Sequence, residues 1–338
     1  MRPIRRLFGT KLLLVILVLS ASPAAFGGSD GSAYDKFRKA QYSNNGLLSQ
    51  QDEMQLGEQV HREILTKYQI VNDPGINAYL QNLGDRLVRS SRRPDIQYRF
   101  YAIEDNSVNA FAIPGGYVYV HTGLLNMVQS EDELAGAMAH EIGHVVARHG
   151  LRNIKKAQRV AMITGIIGIG TEIATNGSGA GRAAQQAATL LGAGILTRNS
   201  RDFEREADYL GLYDMTAAGY DPTAMVRLFQ RLDHASGAKE SSGGIFASHP
   251  NAKERIANTE SEIQANLTAS TAAQPATTRT RRRHATQSAD DFQNMKQALA
   301  GYNGSAPTVY GNRAPQQYPT DPQNQPVRND RPVLTRKP

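Results

Sequence analysis

The chain contains no cysteine. That single absence removes disulfides, Cys-ligated zinc, thiol catalysis and a lipidated N-terminal Cys. It suits an exported protein exposed to an oxidising compartment. No internal repeat is visible, and no apolar run is long enough to span a bilayer comfortably. The longest N-terminal run is Leu12–Leu19, far short of the roughly 18–20 residues that a crossing needs. Acid is missing from the first 28 residues, which carry Arg2, Arg5, Arg6 and Lys11. A second basic excess lies beyond Ala265, so the stretch between is mildly acidic although the formal net charge is +7. The high pI is a property of the two ends. It gives no reason to expect a nucleic-acid-binding core.

What is present begins with "MRPIRRLFGTKLLLVILVLSASPAAFGG". A basic start, a short apolar core and small residues predict a secretory signal peptide over 1–27, cleaved within Ala24–Gly28. An exported, periplasmic protein is the expectation, and an uncleaved anchor is the alternative. Residues 28–48 read as a polar linker. Residues 49–267 form the expected folded domain. The region 268–338 is rich in Thr, Gln, Pro, Asn and Arg and reads as a disordered basic and polar tail, with room for one short helix near Asp290–Tyr302. Its "RTRRRH" run raises a weaker possibility, an anchor for anionic lipid or polysaccharide, against the default of a solvated tail.

Within the domain, Ser49 and Asp73 are expected N-caps, Pro74 suits a first helical turn, and Ile76, Leu80, Leu83 and Leu87 form one helical stripe. Alternation predicts strands near 96–103, 108–113 and 117–121, the last two separated by Pro114-Gly115-Gly116. Ser130 and Glu133 form a capping box that opens a helix expected to reach His149, with Gly150 just past its end. The Gly- and Ala-rich runs 154–174 and 183–197, separated by "TNGSGAG", predict two packed helices or a mobile hairpin. Helices are expected from "SRDFEREADYLGLYDMTAAG", from Asp221-Pro222 to about Ala235, and from Pro250 onward. The sum is an α+β class: a mainly helical domain with a small sheet beside the His-bearing helix.

The chemistry concentrates in "AMAHEIGHVVARHG", Ala137–Gly150. On a helix, residues four apart share a face. His140 and His144 therefore chelate one ion, and Glu141 lies close enough to reach a water bound to it. Imidazole nitrogens hold Zn²⁺ near 2.0–2.1 Å, and the ion lowers its water's pKa to about 7. Glu141 is then the expected general base, which later delivers the proton to the leaving amine. The alternative is two half-exposed histidines beside a chance Glu. His149 is half a revolution from His140 and is expected to act as a cation at the helix end.

A catalytic zinc needs a third protein ligand. A His six residues after His144, with a Gly between, is absent: those positions are Gly150 and Ala147. The helix containing "RDFEREAD" offers Glu204 as ligand. Asp208, one turn on, can support a ligating His through its other ring N–H. Glu206 points off that face. The competing reading is a solvated acidic surface paired with Arg201 and Arg205.

Taken together, "HEIGH", "ExEADxxG" from Glu204 to Gly211, "SHP", Arg255-Ile256 and "NAFAIPGGYVYVHTGLL" resemble the HtpX/CAAX-prenyl-protease family of gluzincin metallopeptidases. The likeness spans roughly Gln50–Leu267. Within the family it is nearest the soluble periplasmic branch of β-barrel assembly-enhancing proteases. The resemblance implies His140, His144 and Glu204 as ligands of one Zn²⁺ per chain. It implies unfolded or misassembled proteins as substrates, and possible contact with outer-membrane assembly machinery. Membrane contact would be at most peripheral, since the spanning helices of other branches are missing. That branch carries a C-terminal tetratricopeptide array where this chain has its polar tail. His249 precedes a Pro-started helix whose dipole disfavours imidazolium. In the branch, the matching His can occupy the fourth metal position and hold the enzyme latent. His249 is therefore a candidate gate or, when withdrawn, an oxyanion donor, with a plain N-cap as the alternative. His61, His121, His234 and His284 have no partner pattern and read as surface or packing residues. The strand Val108–Ile113 is either an ordinary internal strand or an edge to which an extended substrate adds.

The functional expectation is a zinc endopeptidase that hydrolyses misfolded or stalled exported proteins. The competing one is a metal-stabilised holdase or assembly factor with latent protease activity.

Overall fold

The structure is a computed structural model that describes residues 37, 47–164, 200–236, 249–267 and 278–302. The expected signal peptide, nearly all of the linker, and most of the two Gly/Ala-rich runs lie outside the described residues.

Helix α1 (Gln50–Lys67) starts where Ser49 accepts a hydrogen bond from the Asp52 N–H, and it buries Leu56, Val60 and Ile64, each one turn apart. Helix α2 (Pro74–Val88) is capped by Asp73, which accepts from the Ile76 N–H. Its buried face contains the Ile76, Leu80, Leu83 and Leu87 stripe. Three strands follow: β1 (Arg99–Ile103), β2 (Ala110–Ile113) and β3 (Tyr117–His121). Their order is β1-β3-β2, with β1 parallel and β2 antiparallel to β3. The turn between β2 and β3 uses Gly115 and Gly116 at φ 84° and 90°, where a side chain would be strained.

Alternation along the strands gives the sheet two apolar faces. One, with Phe100, Ala102, Val118 and Val120, joins the main core. The other, with Phe111, Ile113, Tyr117 and Tyr119, packs on α1. The sheet thus lies between α1 together with α5 (His149–Thr164), whose Leu151 and Ile154 join that second face, and the remaining helices: α3 (Thr122–Met127), α4 (Glu131–Val146), α6 (Arg201–Ala217), α7 (Thr223–Ser236), α8 (Ala252–Glu262) and α9 (Thr278–Gly301). A π-helical turn, Ile263–Leu267, extends α8. This is the α+β, mainly helical class. No helix among the described residues is long and apolar enough to cross a membrane.

Three differences from the sequence reading bear on the site and the core. Helix α4 stops at Val146, where the Ala147 N–H closes onto the Gly143 carbonyl. Arg148 takes the left-handed conformation at φ 56°, and His149 opens α5. The chain therefore turns before His149, so that residue is not a cation at the end of α4. Helix α8 begins at Ala252, behind a left-handed Asn251, two residues later than Pro250 suggested.

The third difference is α9. It is longer than the short helix expected near 290–302, and it belongs to the domain. Phe292, Met295 and Leu299 lie in the main core, at three- and four-residue spacing within a polar composition. Lys296 donates to the carbonyls of Leu125, Asn126 and Val128 at the end of α3, which supplies the cation that a helix C-terminus favours. Just beyond α9, the Tyr302 hydroxyl accepts from the Asn72 N–H.

Candidate metal centre

Helix α4 is buried along its length because it runs between the sheet and α6. Its start is fixed twice. Ser130 accepts from the Glu133 N–H, while the Glu133 carboxylate accepts from the Gln129 N–H, one residue before the cap. Against this helix α6 lies unusually close. A Cβ on Gly143 would sit 2.8 Å from the Ala207 oxygen, and one on Gly211 would sit 2.8 Å from the His140 nitrogen. The two backbones touch there. That contact brings the Glu204 carboxylate to the paired imidazoles.

His140 Nε2 and His144 Nε2 are 3.0 Å apart. Glu204 lies 3.4 Å from the first and 3.5 Å from the second. His249 Nδ1 is 3.2 Å from His140 Nε2 and 3.0 Å from either Glu204 oxygen. One donor atom from each of these four buried residues lies within 4.8 Å of all the others. A tetrahedral ion with bonds near 2.0–2.1 Å has donors about 3.3–3.4 Å apart. The donor set and its spacing therefore fit one divalent cation of that type.

The charges fit as well. Burial works against the Glu204 anion, but His249, Arg255 and the hydrogen bonds from His140 and His249 hold its carboxyl well below the usual range. Burial and the neighbouring His140 hold His144 well below its ordinary value, neutral and able to ligate. Burial and the Arg255 guanidinium oppose a proton on His140, yet the hydrogen bonds to Asp208 and Glu204 prevail and raise it to about 9. The two carboxylates demand positive charge at this point. A bound cation meets that demand in place of the proton.

Asp208 Oδ1 lies 2.8 Å from His140 Nδ1, the ring nitrogen turned away from the donor cluster. It is held by a two-point pair with Arg255, at 2.7 and 2.9 Å. Arg255 also reaches Glu204 at 3.3 Å and stacks over Phe229. Burial opposes the Asp208 anion and Arg255 outweighs it, so this carboxyl is lowered. In the sequence Arg255 was visible only as part of a motif. No spacing rule linked it to Asp208.

The family model described as "Peptidase family M48" matches residues 74–263, which contain all of these side chains. The chain belongs to peptidase family M48. The β-barrel assembly-enhancing protease of Yersinia pestis is 31% identical over 250 residues, covering 73% of this chain and 51% of that protein. The Escherichia coli K12 protein of the same name is 31% identical over 218 residues, 64% of this chain and 45% of its own length. The mitochondrial metalloendopeptidase OMA1 of Schizosaccharomyces pombe is 31% identical over 211 residues, 62% of this chain and 60% of its length. The chain thus spans about half the length of the curated relatives it matches.

Around the M48 centre, Glu141 is 2% exposed, with one oxygen 3.6 Å from His249 Nε2. His249 is likewise 2% exposed, and with Nδ1 at the donor cluster and Nε2 toward Glu141 its ring lies between the two. His149, displaced from the helix end by the turn at Arg148, is instead packed beneath His144. Its Nδ1 is 2.8 Å from His144 Nδ1, and its Nε2 is 3.0 Å from Glu206. Glu206 does leave the Glu204–Asp208 face, as its position predicts, but it is buried there rather than solvated. Arg205, by contrast, pairs on the surface with Asp202.

Of the remaining histidines, His61 stacks on Tyr117 and pairs with the Tyr119 hydroxyl at 2.7 Å. His121 pairs with Ser107, and His234 is exposed. The side chain of His284 lies outside the described residues.

Proposed function

We propose that the chain is a zinc-dependent endopeptidase acting on misfolded or stalled exported proteins in the cell envelope. The observation that carries this reading is the convergence of His140, His144 and Glu204 on one point beside Glu141. His140, His144 and Glu204 would hold the zinc. When bound, the ion would polarise the substrate carbonyl and lower the pKa of its water to near 7. The Glu141 carboxylate accepts a proton from the attacking water and passes it to the departing amine. Asp208 keeps His140 turned so that Nε2 faces the ion, and Arg255 keeps Asp208 in place.

Strand β2 pairs with β3 and lies at the sheet edge among the described residues. Its outer side suits an extended substrate held by backbone hydrogen bonds, a mode that tolerates many sequences. His249 is the gate in this reading. It fills the fourth donor position, its other nitrogen faces Glu141, and both residues are buried. Withdrawal of its loop would open the site to a carbonyl and leave His249 available to donate to the oxyanion. The basic, apolar N-terminus and the names of the bacterial relatives support export and quality control as the setting. Outer-membrane assembly intermediates are the corresponding substrate class.

The test is Glu141→Gln. Zinc content should match the wild type, because Glu141 is not a ligand. Hydrolysis of an unfolded protein substrate should fall by about 10²–10⁴-fold. Full cellular function in that variant would instead favour a holdase or assembly factor.

A further inference from the structure

The third histidine of "HEIGHVVARHG" has no part in the chemistry above, yet it is 1% exposed and fully paired. We propose that His149 and Glu206 are positioning residues that fix the orientation and tautomer of the ligand His144. This rests on the reading of His140, His144 and Glu204 as a metal site.

A metal on His144 Nε2 requires the proton of that ring on Nδ1. The atom facing it is His149 Nδ1 at 2.8 Å, which must then be the acceptor. The proton of His149 is accordingly on Nε2, and Nε2 faces Glu206 Oε2 at 3.0 Å. The chain of bonds is self-consistent: His144 Nδ1–H donates to His149, and His149 Nε2–H donates to Glu206. It ends on Arg152, which donates to the same Glu206 oxygen at 2.7 Å. The His149 ring is fixed by stacking on Phe203, with centroids 4.1 Å apart and planes 10° off parallel.

Helix α6 thereby presents two adjacent faces. Glu204 and Asp208 serve His140 and the ion, while Phe203 and Glu206 hold His149. His140 is oriented by a carboxylate directly, and His144 by a carboxylate acting through a second imidazole.

The test separates hydrogen bonding from packing. In His149→Asn, the amide oxygen replaces Nδ1 and can accept from His144. In His149→Gln, the amide replaces Nε2 and reaches only Glu206. In His149→Phe, the stack on Phe203 survives and both hydrogen bonds are lost. Zinc affinity is measured by competition with a chromophoric chelator, alongside the unfolding midpoint of each metal-free protein. The wild type should bind one zinc. His149→Phe and His149→Gln should bind about 10–100-fold more weakly, and His149→Asn should recover most of that loss. The inference is overturned if His149→Phe binds like the wild type, or if His149→Asn is as weak as His149→Gln. Should His149→Phe fail to fold, the Asn and Gln pair decides the matter alone. A wild-type protein that binds no zinc would overturn the metal-site reading itself, which is a separate outcome.

Discussion

Gly211→Ala adds one methyl group where α6 touches α4. The new carbon would lie 2.8 Å from the Ala139 carbonyl carbon and from the His140 nitrogen. Ordinary contact begins at 3.4 Å, so the helices must part locally by about 0.6 Å. Both partners are backbone, and no side-chain rotation can relieve the overlap. Overpacking of this kind costs about 1–3 kcal/mol, offset by the roughly 1 kcal/mol that alanine gains over glycine within a helix. The expected net loss is up to about 2 kcal/mol. Glu204 lies seven residues from Gly211, about 10 Å along the helix. A tilt of α6 would move its carboxylate by a few tenths of an ångström, which exceeds the roughly 0.2 Å tolerance of a metal bond. Zinc affinity should fall about tenfold or more. Urea unfolding and chelator competition measure the two effects. Gly301→Ala, where nothing lies within 4 Å of the added carbon, is the control and should stay within about 0.5 kcal/mol of the wild type. If Gly211→Ala matches that control in stability and in zinc affinity, close helix contact does not set the site.

Three further outcomes follow from the same packing. His249→Ala should leave zinc bound through the other three donors; loss of zinc would make His249 a required ligand rather than a gate. Asp214 has a buried oxygen without a hydrogen-bond partner, and burial raises its carboxyl to about 8 against the opposing pull of Arg92. The folded protein therefore holds a proton that the unfolded chain releases near pH 4, and stability falls as pH rises from about 4 to 8. Asp214→Asn should match the wild type near pH 4 and exceed it at pH 9 in urea midpoint; equal midpoints at pH 9 would refute the assignment. Asp208→Asn should weaken zinc binding about 10–100-fold and lower stability by about 3 kcal/mol, because Arg255 stays buried with a weakened partner.

Much of the site was legible because local rules dominate there. The i, i+4 spacing placed His140 with His144 and Glu204 with Asp208, and the caps at Ser49, Asp73 and Ser130 marked three helix starts. What escaped depends on tertiary context. The turn that re-aims His149 has no Gly or Pro at its left-handed position; Arg148 occupies it. Its cost is met by the buried Glu53, which pairs with both Arg148 and Arg93, residues far apart in sequence. Arg255 and Asp208 are likewise joined only when α8 packs on α6. The apolar stripe of α9 was obscured by the polar composition around it.

The central claim is that His140, His144 and Glu204 hold one zinc together. Elemental analysis of protein purified without added metal, compared with Glu204→Ala, tests it most directly. The account predicts about one zinc per chain in the wild type and little in the folded variant. A full complement of zinc in folded Glu204→Ala, or none in the wild type, would contradict it.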